Sequence, residues 1–232
     1  MKHETDNRAA ALRERVLARD DRYWSLEDLG DPAPAELREL SRLVKTGELR
    51  RVRRGLYWRG RKTPFGMAPP PETAAVRAML GGIAVGPAGA SAATELGLST
   101  QVPAGMSVAA PRRLSGPSGM RVHIVTRSAR VARSTAQLRA AEVALLEVLE
   151  SWERHVESSP SNAVARVAAL VGSSTIDLSR VVKASVTEPP IVRARLRALL
   201  EALGENGLAD RVAPPRTPAL LSAARSLFVD PI

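Results

Sequence analysis

The 232-residue sequence contains no cysteine. This absence excludes disulfide bonds, thiolate metal sites and a cysteine nucleophile, and it favours a reducing compartment. Aromatic residues make up only 3% of the chain, so the core must be built mostly from leucine, valine, alanine and isoleucine. The sequence also lacks a membrane-length apolar run and the apolar segment of a secretory signal. We therefore expect a cytoplasmic protein with many helices.

Acidic residues are in the minority. The chain has 34 lysine and arginine residues against 24 aspartate and glutamate residues, which gives a formal net charge of +10. A surplus of this kind favours a polyanionic partner, and nucleic acid is the leading candidate. The hydrophobic fraction of 44% and the charged fraction of 25% are typical of a folded globular protein.

Residues that would support catalysis are sparse. The chain has three histidines, His3, His123 and His155. They lie far apart and lack the spacing of metal ligands. The stretch GGIAVGPAGAS matches neither a phosphate-binding loop nor a dinucleotide-binding fingerprint. Glu142, Glu147 and Glu150 are expected on an exposed helical face, where carboxylates are usually solvated. The sequence therefore predicts no enzyme active site, no metal and no cofactor.

Residues 24–58 indicate a DNA-binding module. Apolar residues recur at helical spacing and predict the buried stripe of an amphipathic helix over residues 34–46: Leu37, Leu40, Leu43 and Val44. The other face carries Arg38, Arg42 and Lys45. Gly47 ends this helix, and LRRVRRGLYW then predicts two short strands joined near Arg54 and Gly55. A helix that runs into an arginine-rich hairpin is typical of a winged helix-turn-helix.

The predicted hairpin is basic and has no acidic residue from Leu49 to Lys62. Its cations are Arg50, Arg51, Arg53, Arg54, Arg59, Arg61 and Lys62. Leu56 and Trp58 are expected on its core side, with Tyr57 on the other side. The hairpin could be basic without having a partner. However, an unopposed positive run beside an amphipathic helix is the footprint expected of a nucleic-acid binder.

The chain is expected to form two domains. Residues 63–71, TPFGMAPPP, predict a stiff linker between a DNA-binding domain, residues 1–66, and a mostly helical domain, residues 67–232, with a short β-sheet. In the first domain, helices are also expected near residues 5–19 and 26–29. In the second, helices are expected near 72–80, 88–96, 137–152, 161–171, 176–186, 190–203 and in the tail after 212, and strands over 107–111 and 120–126. The expected fold class is α+β, mainly helical with small β elements.

A second basic stretch lies between Glu95 and Glu142, where no acidic residue occurs. Its arginines are Arg112, Arg113, Arg121, Arg127, Arg130, Arg133 and Arg139. They predict either a second nucleic-acid surface or strands whose outward side chains happen to be arginine. The sequence leaves both interpretations open.

Three blocks of residues 10–150 together resemble the AbiEi family of antitoxins from type IV toxin-antitoxin systems. They are LSRLVKTGELRRVRRGLYW, VGPAGASAATELGLSTQVPAGMSVAAP and VHIVTR. The first block alone is shared with many winged regulators, and its combination with the other two is more specific. No family motif is found after about residue 155.

The resemblance implies a non-enzymatic antitoxin that represses its own operon by binding inverted repeats in its promoter. It also implies an AbiEii-type nucleotidyltransferase toxin as partner. Two-fold repeats suit a dimer, but the sequence shows no coiled-coil heptad, so we expect a monomer in solution or a dimer on DNA. The residues expected to contact DNA are Arg38, Arg42, Lys45, Arg50, Arg51, Arg53, Arg54 and Tyr57. Arg38 or Arg42 would contact bases and the hairpin arginines would contact phosphates. The alternative is a stand-alone regulator whose C-terminal domain dimerises or senses a ligand.

Overall fold

The computed structural model describes residues 2–71, 75, 78, 82–113, 121–215 and 217–230, without the side chains of residues 2–6 and 53. The described residues divide into two compact units, one up to residue 78 and one from residue 82 onward. Both combine helices with small sheets, so the predicted α+β class is confirmed. The helix expected over 72–80 and the loop expected over 112–119 lie largely outside the described residues.

The N-terminal unit packs two helices against a three-stranded sheet. Its elements are helix α1 (Lys2–Leu17), strand β1 (Arg22–Ser25), helix α2 (Pro34–Lys45), strand β2 (Arg50–Arg53) and strand β3 (Leu56–Arg59). The sheet is antiparallel in the order β1-β3-β2, so β3 lies in its middle. The core consists of Leu12, Val16, Trp24, Leu29, Leu40, Leu43, Leu49 and Tyr57. It therefore joins both helices to the sheet.

Residues 26–30 form a turn and not the short helix expected there. Ser25 and Asp28 nevertheless form a capping interaction, because Asp28 N–H donates to Ser25 Oγ at 3.0 Å and Ser25 N–H donates to Asp28 Oδ2 at 2.9 Å. Helical backbone does not continue, because Gly30 and Asp31 take left-handed φ angles of +76° and +50°. Strand β1, which the sequence did not predict, pairs with β3 immediately before this turn.

Helix α2 begins and ends close to its predicted bounds, but its buried stripe is rotated. Leu40 and Leu43 are buried, whereas Leu37 is 38% exposed, so the prediction that Leu37 faces the core was wrong. Glu36 is buried in its place. The Glu36 carboxylate accepts a hydrogen bond from Ala33 N–H at 2.8 Å and so caps the first turn of the helix.

Residues 62–71 belong to the N-terminal unit and are not a free linker. Strands β4 (Lys62–Thr63) and β5 (Gly66–Met67) form a short hairpin. Beyond it, Trp58 Nε1 donates to Ala68 O at 2.8 Å and Tyr23 Oη donates to Pro71 O at 3.2 Å. These hydrogen bonds extend the unit past the boundary expected at residue 66.

The C-terminal unit is mainly helical around a second small sheet. Strands β6 (Gly86–Pro87), β7 (Met106–Ala110) and β8 (Val122–Thr126) lie in that order, with β6 antiparallel and β8 parallel to β7. Its helices are α3 (Ala90–Leu96), α4 (Ala132–Thr135), α5 (Ala140–Glu150), α6 (Trp152–His155), α7 (Pro160–Gly172), α8 (Leu178–Ala184), α9 (Pro190–Ala202), α10 (Asn206–Ala209) and α11 (Pro218–Arg225). Short 3₁₀ turns cover Ser185–Thr187 and Ser226–Phe228.

Helix α5 is buried in this unit. Its residues from Glu142 to Leu149 are all buried, and they include the glutamates expected to be solvated, Glu142 and Glu147. The helix expected over 137–152 is shorter than predicted, because Gln137 has a φ of +56° and α5 ends at Glu150. None of the helices in the described part of the chain is long and apolar enough to cross a membrane.

Candidate nucleic-acid interface

The outer face of α2 carries five exposed side chains along two turns. Leu37, Arg38, Ser41, Arg42 and Lys45 are all exposed. Counted from Leu37, the other four lie one, four, five and eight residues further along the chain, which places all five on the same side of the helix. Ser41 Oγ donates to Leu37 O at 2.9 Å. This face therefore combines three cations with one hydroxyl and one apolar side chain.

Arg42 is held by a carboxylate one turn before it. Arg42 Nε donates to Glu39 Oε2 at 2.7 Å and Arg42 Nη2 donates to Glu39 Oε1 at 2.6 Å. The hydrogen bonds that Arg42 donates to Glu39 lower the pKa of the Glu39 carboxyl group and raise the pKa of the Arg42 guanidinium group. Both groups are therefore charged at neutral pH. Sequence reasoning missed this pair, although glutamate and arginine three residues apart on a helix are neighbours.

Arg38 and Lys45 have different surroundings from Arg42. Arg38 Nε donates to the Pro34 carbonyl at 3.3 Å, in the first turn of the same helix. Within the described residues, no carboxylate lies at ion-pair distance from Lys45. Lys45, in the last turn of α2, therefore has no charge partner among the described residues.

The β2–β3 hairpin carries exposed arginines along β2 and at its tip. Arg50, Arg51 and Arg54 are exposed, and none of them makes an ion pair with the described part of the chain. The Arg53 side chain lies outside the described residues. An irregularity between Arg51 and Arg53 and a φ of +77° at Gly55 shape the turn. Three guanidinium groups are therefore available to an anionic partner.

The other end of β3 is neutralised, which corrects the expectation of an unopposed cationic run. Arg59 lies 3.2 Å from both Asp20 and Glu48, measured from Nε and Nη1 to the carboxylate oxygens. Arg61 Nε lies 2.7 Å from Asp21, and Lys62 Nζ lies 2.7 Å from Glu48. These acids precede the predicted run in sequence. Among the described residues, the unpaired positive charge of the hairpin therefore lies along β2 and at the tip.

Tyr57 does not belong to the exposed surface. Its side chain is only 7% exposed and packs in the core between the helices and the sheet. All four residues of β3 are buried, so the expected alternation of core and solvent sides fails in this central strand. Contact between Tyr57 and a bound nucleic acid is therefore not available in this conformation.

The second basic surface is smaller than the sequence indicated. Arg130 and Arg133 are buried, and Arg127 has a side chain that is only 23% exposed. Each of the three pairs with glutamates that lie outside the acid-free stretch: Glu147, Glu150 and Glu188. Burial alone would raise the pKa of Glu147, but the hydrogen bond from Arg127 and the nearby arginine charges outweigh burial and lower it. This network is a structural feature of the C-terminal unit.

The remaining arginines of that stretch are at the surface. Arg112, Arg113, Arg121 and Arg139 are exposed. Arg139 also donates from Nη1 to the Ser174 carbonyl at 3.4 Å.

A polar cleft of about 600 Å³ lies in the C-terminal unit, within the size range of small-molecule sites. Charged side chains in its wall include Arg127, Glu147, Glu150 and Arg154, with His155 beside them. Burial, followed by the charge of Arg154, lowers the pKa of His155. Among the described residues, no cluster of three or more histidine, aspartate or glutamate side chains is arranged to hold a metal ion.

Comparison with known proteins gives little further guidance. No protein-family profile matches the sequence, and no curated protein matches it. A solved structure, the RV2827C protein from Mycobacterium tuberculosis, aligns with 94% of this chain and 81% of its own, at 21% sequence identity and a TM-score of 0.44. A likeness at that score carries no argument about function.

Proposed function

We propose that the protein is a DNA-binding antitoxin that represses its own operon and counteracts a nucleotidyltransferase toxin. The observation that carries the DNA-binding part is the distribution of charge in the N-terminal unit. Arg50 and Arg51 on β2 and Arg54 at the hairpin tip are exposed and make no ion pair with the described residues, while Arg59, Arg61 and Lys62 are neutralised. Exposed arginines without a carboxylate partner are what binding to the phosphates of a nucleic acid requires.

The two basic elements suit different parts of a DNA duplex. A helix fits the major groove, where side chains read the edges of the bases. The outer face of α2 supplies Arg38 and Arg42 for this role, and Ser41 and Leu37 add a hydroxyl and an apolar contact. The hairpin tip supplies cations for the phosphates, whose neutralisation releases counterions and provides affinity without sequence preference.

The DNA-binding part is tested by a mobility shift on the DNA upstream of the protein's own gene and on random duplex, over a series of salt concentrations. We expect tighter binding to the upstream DNA and a steep decrease in affinity with salt. Arg42→Ala should reduce the preference for the upstream DNA. Equal and weak binding to both duplexes by the unmodified protein would overturn the proposal.

The antitoxin part rests on the resemblance of residues 10–150 to the AbiEi family. Its test is to look for a nucleotidyltransferase gene beside this one and to co-express the two proteins. We expect the full chain to restore growth that the toxin suppresses. If growth is not restored while DNA binding is intact, the protein is a regulator and not an antitoxin.

A second function is a stand-alone regulator whose C-terminal unit senses a small ligand. The polar cleft of about 600 Å³ favours it. An isolated gene without a neighbouring nucleotidyltransferase would support this function. Its test is whether a bound small molecule raises the unfolding temperature of the full chain and changes its affinity for the upstream DNA, and whether Arg154→Ala abolishes both effects.

A further inference from the structure

We infer that Glu39 is a positioning residue for sequence recognition: it holds Arg42 so that the free edge of the guanidinium group reads guanine in the major groove. The inference rests on the proposed DNA-binding function and deepens it. It names the base that the α2 face selects and the side chain that makes this selection sharp. Neither role follows from the basic charge of the unit alone.

The hydrogen bonds of Arg42 determine which of its donors remain free. Glu39 accepts from Nε at 2.7 Å and from Nη2 at 2.6 Å, so it occupies one edge of the planar group. Nη1 and the second hydrogen of Nη2 form the adjacent edge and are not used by Glu39. A guanidinium edge donates two parallel hydrogen bonds to O6 and N7 of guanine, which is the commonest specific contact in the major groove.

Glu39 is itself fixed by the fold. Its side chain is 13% exposed and lies 3.5 Å from Arg13 Nη1 on α1. The Arg42 side chain, in contrast, is 52% exposed. A mostly buried carboxylate, anchored from a second helix, thus orients an outward-facing arginine. Arginine loses considerable rotamer freedom when it is ordered, so ordering it before binding reduces the cost of forming the base contact.

Glu39 also lowers the attraction of this face to DNA in general. It offsets one positive charge where the duplex would lie, and so weakens contacts that depend on charge alone. Specificity is the difference between affinities for the correct and incorrect sequences. By orienting Arg42 for guanine, Glu39 strengthens binding to the correct sequence. By opposing unspecific attraction, it weakens binding to incorrect sequences, so both effects increase that difference.

Arg38 is not equivalent to Arg42. It has no carboxylate partner within the described residues, and its recorded hydrogen bond goes from Nε to a carbonyl of its own helix at 3.3 Å. Its guanidinium group is therefore not held by a charged neighbour. The structure thus favours Arg42 over Arg38 as the guanine reader.

The test is selection from a randomised pool of double-stranded DNA by the full chain and by the variants Glu39→Gln, Arg42→Ala and Arg38→Ala. We expect the unmodified protein to prefer guanine by about 10-fold or more at one position of the selected sequence. Arg42→Ala should abolish that preference. Glu39→Gln, which preserves the size of the side chain, should reduce it by roughly 3- to 10-fold while affinity for random duplex stays equal or rises.

Two further measurements exclude a merely structural effect. The preference at the other positions of the selected sequence should be unchanged in Glu39→Gln, because a general loss of folding would weaken all of them. In the Arg42→Ala background, Glu39→Gln should have no effect on the guanine position, since the two residues act as one unit. Unfolding temperatures of all variants provide the control for folding.

Several outcomes would overturn the inference. If Glu39→Gln leaves the guanine preference unchanged or sharpens it, Glu39 restrains Arg42 and does not position it. If the preference is lost in Arg38→Ala and kept in Arg42→Ala, the reader is Arg38. Both results leave the proposed DNA-binding function intact. If the unmodified protein selects no sequence at all, the proposed function fails together with the inference.

Discussion

Arg133 and Glu188 form a buried two-point ion pair between segments that are 55 residues apart in the chain. Arg133 Nε donates to Glu188 Oε1 at 2.6 Å, and Nη2 donates to Oε2 at 2.8 Å. The remaining terminal nitrogen, Nη1, donates to Glu147 on helix α5 at 2.6 Å. One arginine therefore connects α4, α5 and the residue that follows the 3₁₀ turn Ser185–Thr187.

Removing Arg133 should destabilise the C-terminal unit strongly. Arg133→Ala leaves two buried carboxylates with fewer partners, and breaking a buried pair in this way costs about 3–5 kcal/mol. Urea unfolding followed by circular dichroism measures the loss. The matched control is Arg139→Ala, at an exposed position directly before helix α5. It should lower the free energy of unfolding by less than about 1 kcal/mol. Similar losses for both variants would show that the buried network contributes little.

The same network should make stability depend on acid pH. The pKa of Glu147 is lower in the folded chain than its ordinary value, as described above. Its stabilising effect is therefore complete above the unfolded pKa, about 4.3, and is lost as the pH falls through the lower folded pKa. We expect the free energy of unfolding to fall below about pH 4.3, and to fall less steeply in Glu147→Gln.

Glu205→Gln is the control for this pH experiment, because Glu205 is exposed and forms no ion pair with the described residues. Its pH profile should be parallel to that of the unmodified protein. An equally steep profile in Glu147→Gln would mean that other carboxylates cause the acid sensitivity.

The two ends of strand β3 should respond differently to loss of an arginine. Arg54→Ala at the exposed tip should weaken binding to specific and random DNA alike and lower the salt slope by roughly one unit, without changing the unfolding temperature. Arg59→Ala should instead destabilise the unit by about 2 kcal/mol, because buried Arg59 bridges Asp20 and Glu48. Salt-dependent mobility shifts and thermal unfolding of both variants separate these effects. The assignment fails if Arg59→Ala changes the salt slope as much as Arg54→Ala.

The turn of the basic hairpin should tolerate only glycine at position 55. Gly55 has a φ of +77°, and an added Cβ would lie 3.2 Å from Leu26 Cδ1. We therefore expect Gly55→Ala to destabilise the protein by about 1–2 kcal/mol. Gly172→Ala, at the end of α7 where no atom lies within 4 Å of the new Cβ, should be neutral or stabilising by up to about 1 kcal/mol. Equal effects of the two substitutions on thermal unfolding would contradict this explanation.

Sequence patterns predicted many of the regular elements because they depend on near neighbours. Apolar spacing located α2, α7, α8 and α9 close to their observed bounds, and the turn near Gly55 was correctly placed. Predictions failed where contacts from distant residues decide the structure. Strand β1 forms because β3 pairs with it, and residues 67–71 join the N-terminal unit because Trp58 and Tyr23 bond to them.

In the candidate site, too, features set by near neighbours were predicted and features set by distant contacts were not. The sequence indicated which faces carry cations, and it placed Arg38, Arg42, Lys45 and the hairpin-tip arginines on them. It did not indicate the exposure of Leu37 and Ser41 or the burial of Tyr57, which depend on how α2 and β3 pack in the core. The Glu39–Arg42 pair was visible in principle, since its spacing is that of helical neighbours.

By itself, the sequence determined the α+β class, the main helices and the excess of positive charge. Only the tertiary structure decided which charges remain available to a partner. Arg133 pairs with Glu188, which lies 55 residues further along the chain. Arg59 pairs with Glu48 and Asp20, which lie outside the basic run that contains Arg59. Helix formation follows from local backbone hydrogen bonds and side-chain spacing, whereas an ion pair depends on distance in space and on burial. A count of arginines along the chain therefore cannot distinguish a binding surface from the interior of a salt-bridge network.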